Sequence, residues 1–252
     1  EPATTSSGEA LLASVAFSIL AFKGFTTITN SGGEIVDPHR NVGRTIMISI
    51  AVCVVVYLLV AVAVGSSLSI AQIVEARDYS LAAAAEPALG DLGFYFTVAI
   101  AITATASGVI ASVFAVSRML TMLTEMEMIP HSHFGMSGGI RSHMLVYTVV
   151  VAGALAVLFD LSRIAALGAF FYLVMDMLVH WGVFRNLREE IGARASILLA
   201  ALAADAVVLS AFTWVKLKSD PAIVLYAVLG IGAVFIAEWF YLARRSSQAQ
   251  DS

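Results

Sequence analysis

Seven long apolar stretches limit what this chain can fold into more than any other feature. A helix needs about 20 mostly apolar residues to cross the hydrocarbon core of a bilayer. The stretches lack the alternation of apolar and polar residues that marks a membrane β-strand, so we expect an all-α, polytopic membrane protein. The stretches are Ala10–Ser31, Thr45–Ser66, Leu92–Leu123, Met144–Phe159, Ile164–Phe184, Ala195–Val215 and Ala222–Ala243.

The composition supports a membrane protein. Hydrophobic residues make up 60% of the 252 residues and charged residues 13%, whereas soluble domains average roughly 45–50% and roughly 25%. A soluble fold has too little interior to bury that excess. The net charge of −4 offers no basic surface for nucleic acid. The single cysteine, Cys53, cannot form an internal disulfide.

Lysine and arginine are distributed unequally between the two sets of loop ends, which predicts the orientation. The richer set holds Arg40, Arg44, Arg118, Arg141, Arg185, Arg188, Arg194, Arg244 and Arg245. The poorer set holds Arg77, Arg163, Lys216 and Lys218. We therefore expect the richer set in the cytoplasm, the N-terminus outside, the C-terminus inside, and the chain integral to the plasma membrane.

The first stretch has a polar middle, which predicts a break in its helix. Lys23 is costly in mid-membrane, and the adjacent Gly24 weakens a helix. Hydroxyl and amide side chains that could bind freed backbone groups or a ligand follow at Thr26, Thr27, Thr29 and Asn30. Many transporters build a midplane site from a broken helix. The alternative is an unbroken helix in which Lys23 snorkels or pairs with a carboxylate.

Acidic residues lie inside later stretches, where ionisable groups are functional candidates. Asp176 precedes His180 by four residues, so both lie on one helix face and could relay protons. A structural hydrogen bond is the equal alternative. For Asp205 we expect packing or an oligomer contact, and for Glu238 a place at the membrane interface.

Enzyme and metal motifs are missing from the sequence. His131, His133 and His143 match no strong zinc pattern, and no cysteine assists them. There is no P-loop and no nucleophile elbow. We therefore expect no catalytic residues, no bound metal and no cofactor.

Several short motifs together resemble the amino acid–polyamine–organocation permease superfamily. They are Phe22–Phe25, Asn30–Ile35, Asp37–Arg44, Ser117–Leu120 with Ile129–Pro130, and Leu167–Phe170 with Phe184–Arg185. Their order and spacing agree over nearly the whole chain. The chain departs from the pattern at Thr26, where Glu is common, at Asp37, where Asn is common, and at Gly43, where Pro is common.

The resemblance implies a fold of two inverted five-helix repeats followed by two extra helices. This chain would then supply helices six to twelve, with residues 1–194 as the second repeat and residues 195–252 as the extra helices and tail. The first five helices would be absent, so the chain reads as a fragment that needs those helices or another copy. Alone, it should not transport.

The resemblance also implies the site residues. In the family, substrate lies between the broken first and sixth helices, which carries over to Phe22, Lys23, Gly24, Phe25 and Thr26. Phe22 or Phe25 would serve as an aromatic lid. In sodium-coupled relatives, hydroxyls of the eighth helix complete a cation site, which here would be Thr105 and Ser107 among others. Helix packing is the simpler reading of those two residues, and Lys23 could replace the cation.

We therefore expect a secondary active transporter of amino acids or related amines, working by alternating access and coupled to protons. Lys23, Asp176 and His180 are the coupling candidates. Its partners would be the small-molecule substrate and the lipid bilayer. The alternatives are a non-transporting membrane subunit or pseudo-transporter or, less well supported by the sequence, a membrane enzyme using Asp176 and His180.

Overall fold

The computed structural model describes residues 7–22, 24, 28–29, 35–129 and 138–250. Every regular element within these ranges is helical, which confirms the predicted all-α membrane fold. The helices are α1 (Ser7–Ala21), α2 (Pro38–Ser67), α3 (Ile70–Ala76), α4 (Ser80–Glu125), α5 (Ile140–Leu158), α6 (Leu161–Gly182), α7 (Ala195–Ser219) and α8 (Pro221–Gln250).

Six helical stretches of the described chain are long and apolar enough to cross a membrane. They are Pro38–Ser67, Ile70–Glu125, Ile140–Leu158, Leu161–Leu187, Ala195–Ser219 and Pro221–Ala243. They correspond to the last six of the seven predicted spans. The first predicted span is represented by α1, which has only 15 residues.

Local sequence signals explain where several helices begin, bend and end. Pro38 opens α2, a position where the missing N–H of proline costs nothing. The α4 helix is kinked at Gly90, whose φ of 61° and ψ of −158° are open to glycine. The Asp160 side chain accepts a hydrogen bond from the Arg163 backbone N–H at 2.9 Å and so caps α6. One turn of π-helix, Val183–Leu187, continues α6.

The first of two compact units comprises Glu1–Lys23, Leu123–Ser132 and Val150–Ser252. Within it, α1 packs against α6 and α7, and α8 packs against the same two helices. Small residues allow close approach of helices in a membrane. The buried core combines them with a few large side chains: Ala16, Ala166, Ala169, Phe170, Leu173, Val208, Phe212, Ile223, Val224 and Ala227.

The second unit comprises Gly24–Met122 and His133–Val149. Its α2 contains no buried residue, although it is apolar on nearly every side. A helix that is apolar all round is suited to a membrane rather than to water. These two compact units do not test the predicted division into a repeat (residues 1–194) and extra helices (residues 195–252), which stays a prediction.

Candidate functional site

The regular helix of α1 ends where the sequence predicts a break. Its last residue is Ala21, and both Phe22 and Gly24 lie in turns. The Phe22 N–H donates to the carbonyl oxygen of Ile19 at 3.0 Å, a tightened final turn typical of helix ends. Lys23, Phe25 and Thr26, the other predicted substrate residues, lie outside the described part of the chain.

Aromatic packing holds α1 in place. The ring of Phe17 meets that of Phe212 edge to face at 5.3 Å, and Phe212 in turn contacts Phe170 at 4.8 Å. The Lys216 ammonium lies 5.5 Å from the centre of the Phe17 ring. Such pairs add to the packing energy. The helix α1 is therefore fixed between α6 and α7 up to the point where it ends.

The last turn of α1 lies on α6 at a glycine. A Cβ atom added to Gly168 would lie 3.8 Å from the methyl carbons of Leu20. Leu20 therefore rests against the backbone of α6, two residues before the turn at Phe22. This contact places the end of α1 beside the face of α6 that carries Gly168.

A polar group joins α6 to α7 among otherwise apolar helices. The Nδ1 atom of His180 lies 2.9 Å from Oδ2 of Asp205, which is a hydrogen-bond distance. The same nitrogen lies 3.9 Å from Oδ2 of Asp176, which is too far for a hydrogen bond. We call these three residues the Asp–His–Asp group.

The side chains of the Asp–His–Asp group are partly buried. The Asp205 side chain is 11% exposed, while those of His180 and Asp176 are 25% and 27% exposed. Tyr172, one turn before Asp176 on α6, is buried. Since Tyr172, Asp176 and His180 are each four residues apart on α6, they form one stripe along the helix.

The sequence anticipated only half of this arrangement. It placed Asp176 and His180 on one face, as the structure does. It assigned Asp205 to packing or to an oligomer contact, whereas the structure makes Asp205 the close partner of His180. The available signal was that Asp205 is an acid inside a membrane span, but its partner lies on a different helix.

A spacing suited to a metal ion also exists here. The three donor atoms of the Asp–His–Asp group lie within 4.8 Å of one another. In the sequence, the candidate metal ligands were instead His131, His133 and His143, which match no strong zinc pattern. His143 is buried at the start of α5, and the other two lie outside the described residues.

The predicted hydroxyl residues of the third span lie apart from these features in the chain. Thr105 and Ser107 are exposed on α4 and belong to the second unit. Their contribution to a cation site, or to helix packing, stays a prediction.

An ion pair fixes the opposite end of α6. The Arg163 Nε donates to Oδ2 of Asp220 at 2.8 Å, joining the first turn of α6 to the junction between α7 and α8. Near the C-terminal end of α6, His180 contacts Asp205 of α7. Helix α6 is therefore linked both to α7 itself and to the residue that follows α7. The links fix the alignment of the two helices along their length.

Comparison of the sequence with known proteins places the chain in a family. The model of the amino acid permease family matches residues 2–249. An uncharacterized protein of Methanocaldococcus jannaschii, MJ0609, is 29% identical over 181 residues, covering 71% of this chain and 41% of that protein. The inner membrane transport protein YbaT of Escherichia coli is 31% identical over 118 residues, covering 47% of this chain and 27% of that protein.

The chain spans less than half the length of these two relatives. The family model nevertheless covers nearly all of the chain. A family of permeases and a relative named as a transport protein point to a transporter rather than an enzyme. The six apolar helices and the short α1 agree with that assignment. The chain belongs to the amino acid permease family.

Proposed function

We propose that the protein is a secondary active transporter that moves an amino acid or related amine across the plasma membrane by alternating access, coupled to protons. The observation that carries this proposal is the end of α1 at Ala21, with Phe22 and Gly24 in turns. Many transporters build a midplane substrate site from a helix that is interrupted within a membrane span.

The chemistry of such a helix end suits an amino acid or an amine. The C-terminal end of a helix carries a partial negative charge of about half a unit. The partial negative charge at the end of α1 can therefore attract the ammonium group of a substrate. We assign the carboxylate of an amino acid to the ammonium of Lys23, and the side-chain pocket to Phe22, Gly24, Phe25 and Thr26.

The other half of the site must come from elsewhere, since substrate in this type of transporter lies between two broken helices. We propose that helices preceding this chain, or another copy of it, supply the second one. The length of the relatives supports the first source, because the chain covers only 41% and 27% of them. We further propose that the N-terminus of this chain lies outside the cell and the C-terminus in the cytoplasm.

We assign the proton as the coupling ion because of Lys23. A fixed ammonium beside the site can take the electrostatic place of a bound sodium ion. A transporter with a built-in cation needs another group that gains and loses charge during the cycle, and a proton is the simplest ion to provide that change.

The test is reconstitution of the complete protein in proteoliposomes. Counterflow exchange of a radiolabelled amino acid or amine, measured with no ion gradient, should be saturable and stereoselective. The absence of counterflow for any amino acid or amine would contradict the proposed function.

Substitution of Lys23 tests its role. We expect Lys23→Ala to abolish counterflow or change its ion dependence, and Lys23→Arg to rescue poorly, because a planar guanidinium differs in shape from a compact ammonium. The matched control is Lys218→Ala, which removes an exposed lysine at the end of α7 that lies over Trp214. Unchanged kinetics in Lys23→Ala would show that Lys23 does not bind the substrate.

A further inference from the structure

We propose that the Asp–His–Asp group formed by Asp176, His180 and Asp205 is the proton-binding site of this transporter. This inference rests on the proposed function and names the residues that would carry its proton. The proton bonds to an imidazole nitrogen or a carboxylate oxygen of the group and leaves to water, with no other bond made or broken.

The charge of the Asp–His–Asp group is not balanced within the group. The group holds two carboxylates and one imidazole, so it carries two negative charges when the imidazole is neutral. Both carboxylates lie near the single imidazole, with Asp176 Oδ2 at 3.9 Å and Asp205 Oδ2 at 2.9 Å from His180 Nδ1. Charges inside a membrane protein are costly unless compensated. Protons are the compensating cations that the group itself can bind.

The geometry of the Asp–His–Asp group provides positions for protons. The 2.9 Å contact between His180 Nδ1 and Asp205 Oδ2 is an ordinary hydrogen-bond distance, so a proton bound to one of the two atoms bridges them. The Asp176 oxygen, at 3.9 Å, is close enough to interact by charge but is not hydrogen-bonded to the same nitrogen. The group thus has one proton position that is already bridged and a second carboxylate that can take a further proton.

The Asp–His–Asp group is connected to the end of α1 through helix α6. Gly168, Tyr172, Asp176 and His180 follow one another at intervals of four residues on α6, so each lies next to the following one on the helix surface, while the row turns by about 40° at each step. Leu20 of α1 rests against the first of these positions. At 1.5 Å per residue, Gly168 and Asp176 are about 12 Å apart along the helix axis. Tyr172 lies between them on the helix and is buried. A change of charge in the group therefore acts on the helix against which the end of α1 is packed.

Other ionisable residues on the elements packed around the group are few. The described part of α1 with defined side chains has none. Past the group, the π-helical turn carries Arg185, with Arg188 just after it and over the ring of Phe184. Among the side chains that the structure describes on the neighbouring helices, the other ionisable residues are Arg163, Lys216, Lys218, Tyr226, Glu238 and Tyr241. Arg163 pairs with Asp220 at the opposite end of α6.

A divalent metal ion is the competing occupant, since the donor atoms lie within 4.8 Å of one another. The proton is the simpler assignment, because a shared hydrogen bond already accounts for the short contact between His180 and Asp205. The experiment must therefore separate the two.

The experiment compares two transport modes of the complete protein in proteoliposomes. Counterflow at equal pH needs substrate binding and alternating access but no net proton movement. Accumulation against a concentration gradient, driven by a pH difference of one unit, needs the proton. With one proton per substrate, the wild type should accumulate substrate roughly ten-fold, since a factor of ten corresponds to about 1.4 kcal/mol.

We expect Asp205→Asn and Asp176→Asn to reduce accumulation to about one-fold while counterflow continues. Glu238→Gln is the matched control, because it neutralises one exposed acid on α8 outside the group, and it should retain both modes. If Asp205→Asn also loses counterflow, Asp205→Glu decides: recovery of gradient-driven accumulation supports the proton site, and continued loss overturns it.

Two results would overturn the inference while leaving the proposed function intact. The first is normal accumulation in both asparagine variants. The second is inhibition of wild-type counterflow by micromolar Zn²⁺ that His180→Gln abolishes, together with normal gradient-driven accumulation in His180→Gln, which would assign the group to a metal ion. Absence of counterflow in the wild type would instead remove the proposed function, and the proton site with it.

Discussion

Replacing Phe212 with alanine should detach α1 from its support. Phe212 is fully buried, with 0% of its surface exposed. Its ring packs against Phe17 of α1 and Phe170 of α6, and the Lys216 ammonium lies 5.8 Å from its centre. One side chain of α7 therefore joins three helices, and its loss affects the helix that ends at the proposed substrate site.

The size of the effect follows from what the ring contributes in a membrane. Unfolding within lipid keeps apolar surroundings, so the usual gain from leaving water is largely absent. The cavity remains: on the order of 100 Å³ at about 24 cal/mol per Å³ costs about 2.4 kcal/mol. The loss of the two aromatic contacts adds about 0.5–1.5 kcal/mol for each pair. Allowing for overlap between these contributions, we expect the free energy of unfolding to fall by about 2.5–4 kcal/mol.

The assay is a reversible unfolding titration of the complete protein in mixed micelles, followed by counterflow in proteoliposomes. Phe235→Ala is the matched control, because it removes the same ring from α8 where the side chain is 46% exposed. It should cost less than about 1 kcal/mol. If both variants lose the same free energy of unfolding, the proposed role of Phe212 in joining α1, α6 and α7 is wrong.

Two further predictions test the helix packing and the orientation. Gly230→Ala should destabilise the protein by about 1–3 kcal/mol, because the new Cβ would lie 2.8 Å from the tip of the Phe171 ring and force a shift; Gly232→Ala, which meets nothing within 4 Å, should change the free energy of unfolding far less, and equal unfolding midpoints would refute the packing argument. A cysteine introduced at Val36 or Asn186 should resist impermeant thiol reagents added outside intact cells, as the lysine and arginine distribution predicts, and ready labelling would invert the proposed orientation.

The proposed proton site and the proposed substrate site share one helix, which suggests how they would communicate. Helix α6 contacts the end of α1 at Gly168 and holds Asp176 and His180 further along. Transporters couple ion and substrate by making the occupancy of each alter the preferred arrangement of shared helices. In this chain α6 is the element that both sites share.

The approximate positions of the six described spans follow from the sequence alone. Each depends on the local run of apolar residues, and a run of that length has to be helical in lipid because its backbone groups have no water to bind. The six described spans therefore agree with the predicted stretches to within several residues at most ends. The end of α1 near Phe22 was predictable for the same reason, since Lys23 and Gly24 are local signals.

The pairing of His180 with Asp205 was not predictable in this way. The two residues are 25 positions apart, and their contact depends on how α6 and α7 are rotated about their axes. Helices that are apolar on nearly all sides carry little periodic signal to indicate which face turns inward. The rotation is set by close packing, in which Phe212 belongs to the same buried core as the small residues Ala166 and Ala169. Local sequence places Asp205 in a membrane span, and only the packing of three helices brings it to His180.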